Sequence, residues 1–97
     1  MIEFIPSYFK YSDERGSFKG LINIGTWEEI NIVCSDSNTV RGNHYHSYTD
    51  ELFFILEGKI KITLQKVLRN KELDIEKKVI EVKEGDVFLI NKNVNHI

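Results

Sequence analysis

The sequence predicts an all-β fold, a sandwich or a barrel, and three observations carry that expectation. Short runs rich in Ile, Val, Phe and Tyr recur at a spacing of roughly ten residues, parted by polar or glycine-bearing turns. The clearest run, Lys59 to Leu68, alternates with period two: Ile60, Ile62 and Leu64 inward, Lys59, Lys61, Thr63 and Gln65 outward. No stretch holds helical periodicity over three turns.

Taken in order, Ile2 to Ile5 reads as a short strand stopped by Pro6. Ser12 to Gly16 is a polar turn closed by glycine, and Ser17 to Ile24 a strand weakened by Gly20. Trp27 to Cys34 places Ile30, Ile32 and Cys34 on one face, and Ser35 to Asn38 is a loop. Thr39 to His46 is the next strand, with Val40, Gly42, His44 and His46 sharing a face. After a polar turn over Ser47–Asp50, Leu52 to Leu56 is continuously apolar, as a strand covered on both sides would be. Glu57-Gly58 turns the chain into the Lys59 strand, and Arg69 to Glu72 is a hairpin tip. Leu73 to Val82 returns, Lys83 to Asp86 turns again, Val87 to Ile90 is an apolar strand, and Asn91 to Asn95 leads to His96.

A chain of 97 residues is expected to be one domain, residues 1–97. The formal net charge is −2 with both signs interspersed, so no basic patch points to nucleic acid. Cys34 is the one cysteine, which excludes an intrachain disulfide and suits a reduced, cytoplasmic setting. No apolar run reaches the length of a membrane span, and Met1 to Pro6 lacks the basic start and apolar stretch of a signal peptide. The expected protein partner is a second copy, a homodimer formed through exposed edges and the Ile2–Ile5 strand.

The chemistry gathers in Arg41 to Gly58. This stretch holds two of the three histidines, and the third, His96, is almost the last residue. Residues two apart on a strand share a face, so His44 and His46 can point into one pocket. The Ser47–Asp50 turn can bring Glu51 beside them, and His96 can approach from a later strand. Three neutral imidazoles and a carboxylate suit a divalent first-row metal ion: zinc, iron, manganese, nickel or copper. Without a metal, His44 is the candidate catalytic base and His46 its orienting or shuttling partner, since histidine titrates near neutral pH. With a metal, those rings are ligands, and a water, Tyr45 or Tyr48 must move the proton. The two schemes exclude each other.

His44, His46, Glu51 and Gly58 resemble the first motif of the cupin family, and Gly85-Asp86 through His96 resembles the second. The resemblance implies a double-stranded β-helix, or jelly-roll barrel, with His44, His46, Glu51 and His96 as metal ligands. Asp13-Glu-Arg-Gly-Ser-Phe18 and Val40-Arg-Gly-Asn-His44 narrow it to the nucleotide-sugar branch. That branch includes the dTDP-4-dehydrorhamnose 3,5-epimerase type, the sugar 3,4-ketoisomerases and the cupin half of capsular-polysaccharide synthesis enzymes. It implies an epimerase or ketoisomerase acting on a nucleotide-linked 4-keto sugar in cell-surface polysaccharide biosynthesis, with that nucleotide sugar as small-molecule partner. Arg15 would meet the substrate diphosphate. Arg41, beside the histidines but on the opposite strand face, is the second candidate for substrate contact, and an outer-face or dimer-contact role is its alternative. A metal- and sugar-binding module without turnover and a metal-dependent oxygenase are the rival readings.

This sequence departs from the branch at Gly20, where glutamate is usual, and at Val33, where serine is usual. It also stops at Ile97, where the branch continues with strands that close the barrel and supply a tyrosine. The resemblance therefore implies a truncated chain or a barrel completed by a partner.

Overall fold

The computed structural model describes residues 1–97 and is all-β, with eight strands and no helix. In chain order they are β1 (Ile2–Phe4), β2 (Phe9–Asp13), β3 (Gly16–Gly20), β4 (Glu51–Phe54), β5 (Lys59–Lys66), β6 (Lys78–Lys83), β7 (Val87–Ile90) and β8 (Val94–His96). They form three small antiparallel sheets, ordered β1-β7-β4, β2-β3 and β6-β5-β8, and none closes into a barrel. The chain divides into two compact units, one of Met1–Ile5 with Arg41–Ile97 and the other of Pro6–Val40.

The first unit holds the hydrophobic core. β7 is the central strand of its sheet, flanked by β1 and β4, which is why Val87 to Ile90 is apolar without alternation. Phe88 is 1% exposed, stacked on Phe53 at 5.1 Å and tilted against Phe4 at 5.9 Å. In the other sheet β5 is central, and its inward residues Ile62 and Leu64 are buried as the alternation requires. Ile60, at the start of the strand, stays 47% exposed. Ile55, Val82, Ile90 and Val94 complete the cluster.

The second unit contains the β2–β3 hairpin, paired from Phe9↔Gly20 to Asp13↔Gly16. Asp13 caps its turn: the Oδ1 atom accepts the Arg15 backbone N–H at 2.9 Å, and Oδ2 takes the Arg15 guanidinium at 2.6 Å. Gly20 is the one buried residue of this unit, because the Tyr8 ring lies flat over it. A Cβ at residue 20 would stand 2.5 Å from that ring.

Several expected boundaries move. Trp27–Cys34 and Thr39–His46 were expected as strands, yet the only strand-like pairing in either is the isolated bridge His44↔His96. Gly42 (φ +91°) and Asn43 (φ +66°) are consecutive left-handed residues, which no strand accommodates. Without those two strands there is nothing to carry the sheets round into the expected jelly-roll barrel. Residues 9–13 were not expected to form a strand, and the later strand expected to carry His96 is β8, which pairs with β5 from Lys66↔Val94 to Leu64↔His96.

Candidate metal centre

β8 brings His96 to the site, and the Gly42–Asn43 kink brings His44 to meet it. Turning left-handed at two successive residues aims the Asn43 N–H at the His96 carbonyl, 2.7 Å away, with the His44 N–H at 3.4 Å from the same oxygen. The His96 N–H returns a bond to the His44 carbonyl at 3.1 Å. The imidazoles of His44 and His96 then meet edge to face at 4.5 Å. Beside them the Asn95 side chain, 3% exposed, donates from Nδ2 to Asn43 Oδ1 at 3.1 Å. This amide pair locks the kink to β8 from the far side of the backbone bridge.

The loop between His46 and β4 is held by two longer-range bonds. The Asn93 N–H donates to the His46 carbonyl at 2.8 Å, and the Lys92 N–H to Asp50 Oδ1 at 2.7 Å. Fixed in this way, Glu51 opens β4 with its carboxylate against the rings. One ligand atom each from His44, Glu51 and His96 lies within 4.8 Å of the others. His46 stands outside that triad but reaches the same carboxylate, with Nε2 2.8 Å from Glu51 Oε1. Exposure grades across the group: the His96 side chain is 11% exposed, Glu51 32% and His46 44%.

Two features test whether these residues fit a metal ion. Glu51 Oε1 is buried and makes no hydrogen bond, although His46 Nε2 and His96 Nε2 lie 2.8 and 3.3 Å away. The tautomer of His96 accounts for its share. His96 Nδ1 lies 3.2 Å from the Val94 carbonyl, which can only accept, so in the neutral ring Nδ1 carries the proton. His96 Nε2 is then unprotonated and offers Glu51 Oε1 no donor, so two acceptors stand 3.3 Å apart, a pairing that a cation between them would relieve. Burial pushes the His96 pKa down, opposed by the Val94 bond and the Glu51 charge, which keeps the ring neutral at pH 7. A ring nitrogen tied to a backbone carbonyl is also the usual outer support of a metal-bound histidine. Two ligand atoms at about 2.1 Å from a tetrahedral ion lie about 3.4 Å apart, close to the 3.3 Å between His96 Nε2 and Glu51 Oε1, and the His44 atom is within 4.8 Å of both. The donor set fits a divalent ion.

The remaining candidates lie elsewhere in the chain. Arg15 belongs to the Pro6–Val40 unit and pairs with Asp13. Arg41 opens the Arg41–Ile97 stretch and is exposed, directly before the kink. Asn43, Asn95 and Gly42 were not among the sequence candidates. The adjacent Gly42-Asn43 pair, two residue types that tolerate positive φ, is the signal that would have found the kink.

The family of polysaccharide biosynthesis C-terminal domains matches residues 11–93. No curated protein and no solved structure matches the chain. The family match corrects the cupin and nucleotide-sugar epimerase resemblance, because the matched family is neither. The activity derived from that resemblance, epimerase or ketoisomerase action on a 4-keto sugar, falls with it, as do the cupin-based rivals. Its motifs were short and local: His-x-His with a nearby carboxylate reports a cluster of donors, and Asp-x-Arg-Gly reports a capped turn. Neither specifies a fold, and the sheets here do not close. The expected link to polysaccharide biosynthesis stands. With 83 consecutive residues matched in a chain of 97, this protein belongs to the polysaccharide biosynthesis C-terminal domain family.

Proposed function

We propose that this domain serves polysaccharide biosynthesis as a metal-binding unit, with His44, Glu51 and His96 holding a divalent first-row ion and His46 beside them. The supporting observation is the buried, unbonded Glu51 Oε1 lying 3.3 Å from His96 Nε2, the ring nitrogen left without a proton when Nδ1 donates to the Val94 carbonyl. Zinc, iron, manganese, nickel and copper all suit a donor set of nitrogens and one carboxylate. A bound ion of this kind acts as a Lewis acid toward carbonyl or phosphoryl oxygens. The protein's own part is orientation: the Val94 carbonyl sets the His96 ring, and the Asn43–Asn95 pair sets the distance between β8 and His44.

Elemental analysis of the purified protein tests the assignment. The expected result is close to one equivalent of a transition metal, lost in both His44→Ala and His96→Ala. Stoichiometric metal retained by both variants would overturn the ligand set. As a second readout, chelation is expected to lower the melting temperature of the wild type and leave the two variants unmoved, since an ion bound only by the native state stabilises it by mass action.

A further inference from the structure

We propose that Phe53 is a positioning residue for the metal centre: it holds the His96 ring in the form whose Nδ1 carries the proton and whose Nε2 stays bare for an ion. The inference rests on the metal reading for the ion, and on ring packing for the rest. Antiparallel register puts Phe4, Phe88 and Phe53 directly opposite one another across β1, β7 and β4. Phe53 stacks on Phe88 at 5.1 Å with the planes 13° apart, and Phe88 is 1% exposed, so the core fixes the Phe53 ring. His96 arrives on β8, from the other sheet, and ends this row. Its ring lies 6.2 Å from Phe53 with the planes 77° apart, an edge-to-face arrangement that aromatic pairs prefer.

One strand supplies both the ligand and the brace. Glu51 and Phe53 are two apart on β4 and share a face. Opposite them across the sheet stand Ile90 and Ile2, Phe88 and Phe4, all apolar. A carboxylate in that company needs a partner, because burying a charge without one is costly. The His96 ring can supply one by itself. A modest turn about its Cβ–Cγ bond takes Nδ1 off the Val94 carbonyl, now 3.2 Å away. The proton then sits on Nε2, which donates to Glu51 Oε1 from its present 3.3 Å. A pair satisfied in this way has no ring lone pair left for an ion.

Two rings stand against that turn, His44 at 4.5 Å and Phe53 at 6.2 Å. His44 is exposed and is itself a ligand, whereas Phe53 is packed against the core. The anchored ring is therefore the one that keeps His96 in place before an ion arrives. A residue that only filled core volume would be replaceable by leucine with no effect on the His96 tautomer.

Imidazole nitrogen NMR of the metal-free protein, at a pH where the ring is neutral, tests this. The wild type is expected to show His96 protonated on Nδ1 and bare on Nε2, with NOE contacts between the His96 and Phe53 rings. Phe53→Leu, which keeps the position apolar and removes the ring, is expected to move His96 toward the Nε2-protonated form. Its zinc affinity, measured by chelator competition, is expected to fall about 10- to 100-fold, as when the outer support of a metal ligand is lost. Val82→Ala, at a fully buried core position paired with Ile60 on β5, is expected to keep the wild-type nitrogen shifts and zinc affinity. Because the wild-type arm needs no variant to fold, a wild-type His96 protonated on Nε2 overturns the inference outright. So does either readout unmoved in Phe53→Leu, or an equal change in Val82→Ala. A wild type that takes up no zinc while the nitrogen shifts of both proteins follow expectation overturns the metal reading and supports the positioning of His96 by Phe53.

Discussion

The carbonyl oxygen of His96 stands 2.7 Å from the point where any side chain at residue 42 would place its Cβ, so Gly42 is the one residue type that lets the kink close on β8. That approach brings His44 and His96 within reach of one ligand. Gly42→Ala combines this clash with a φ of +91°, a conformation costing about 1 to 3 kcal/mol for a residue with a Cβ. The variant is expected to lose at least that much in urea unfolding and to lose metal capacity with it. Stability equal to wild type would show that the kink does not hold the site.

The Asn43–Asn95 amide pair gives a second prediction. Asn95→Ala removes the donor to Asn43 Oδ1 and is expected to cost about 0.5 to 1.5 kcal/mol. Asn43→Gly keeps the left-handed backbone at residue 43 (φ +66°) and removes only the amide. In a double-mutant cycle the two changes are expected to couple by about 0.5 to 3 kcal/mol. Additive losses would mean that the pair does not act as a unit. If the pair orients His96 as argued, the visible absorption of cobalt-loaded Asn95→Ala shifts as well.

Much of the first unit was legible in the sequence, because alternation and glycine punctuation report burial and turns directly. β7 and most of β5 lie where their apolar patterns place them. The donor set was legible too, since His-x-His with a carboxylate and a late histidine names its own chemistry. The path of the chain through residues 27–46 was not. Ile30, Ile32 and Val40 alternate like a strand, but alternation says only that a strand would be amphipathic, and pairing partners are set by tertiary context. The kink at Gly42 overrode the pattern at Thr39–His46. A late strand carrying His96 was expected, but its bounds were not, because Asn-rich segments read as turns, while Asn95 is in fact satisfied by another asparagine 52 positions earlier.

Core packing supplies a third prediction. Leu64 is fully buried on the central strand of its sheet, one residue before Gln65 and opposite His96 in register. Leu64→Ala is expected to cost about 2 to 5 kcal/mol through lost contacts and a residual cavity. Ile75→Ala, at a side chain 94% exposed, is expected to stay within about 0.5 kcal/mol of wild type. Equal losses at both positions in chemical unfolding would refute the assignment of the core.

Titration of the hairpin turn supplies a fourth. The Arg15 guanidinium, helped by the Arg15 backbone N–H, holds the Asp13 carboxyl below its ordinary value of 3.8. A carboxylate depressed on folding adds stability that is present above its unfolded pKa and disappears as pH falls through the folded one. Carbon-detected NMR titration is expected to place the Asp13 midpoint below 3.8, and Arg15→Ala to return it upward. A midpoint unmoved by that substitution would remove Arg15 as the cause.

His44, His46, Glu51 and His96 all come from the Arg41–Ile97 part of the chain, whereas the aromatic hairpin belongs wholly to Pro6–Val40. Inheritance can therefore act on the two separately. A lineage that rewrites its exposed hairpin residues leaves the donors in place, and one that loses a histidine leaves the hairpin as it was. Family members are expected to diverge along these two axes without correlation.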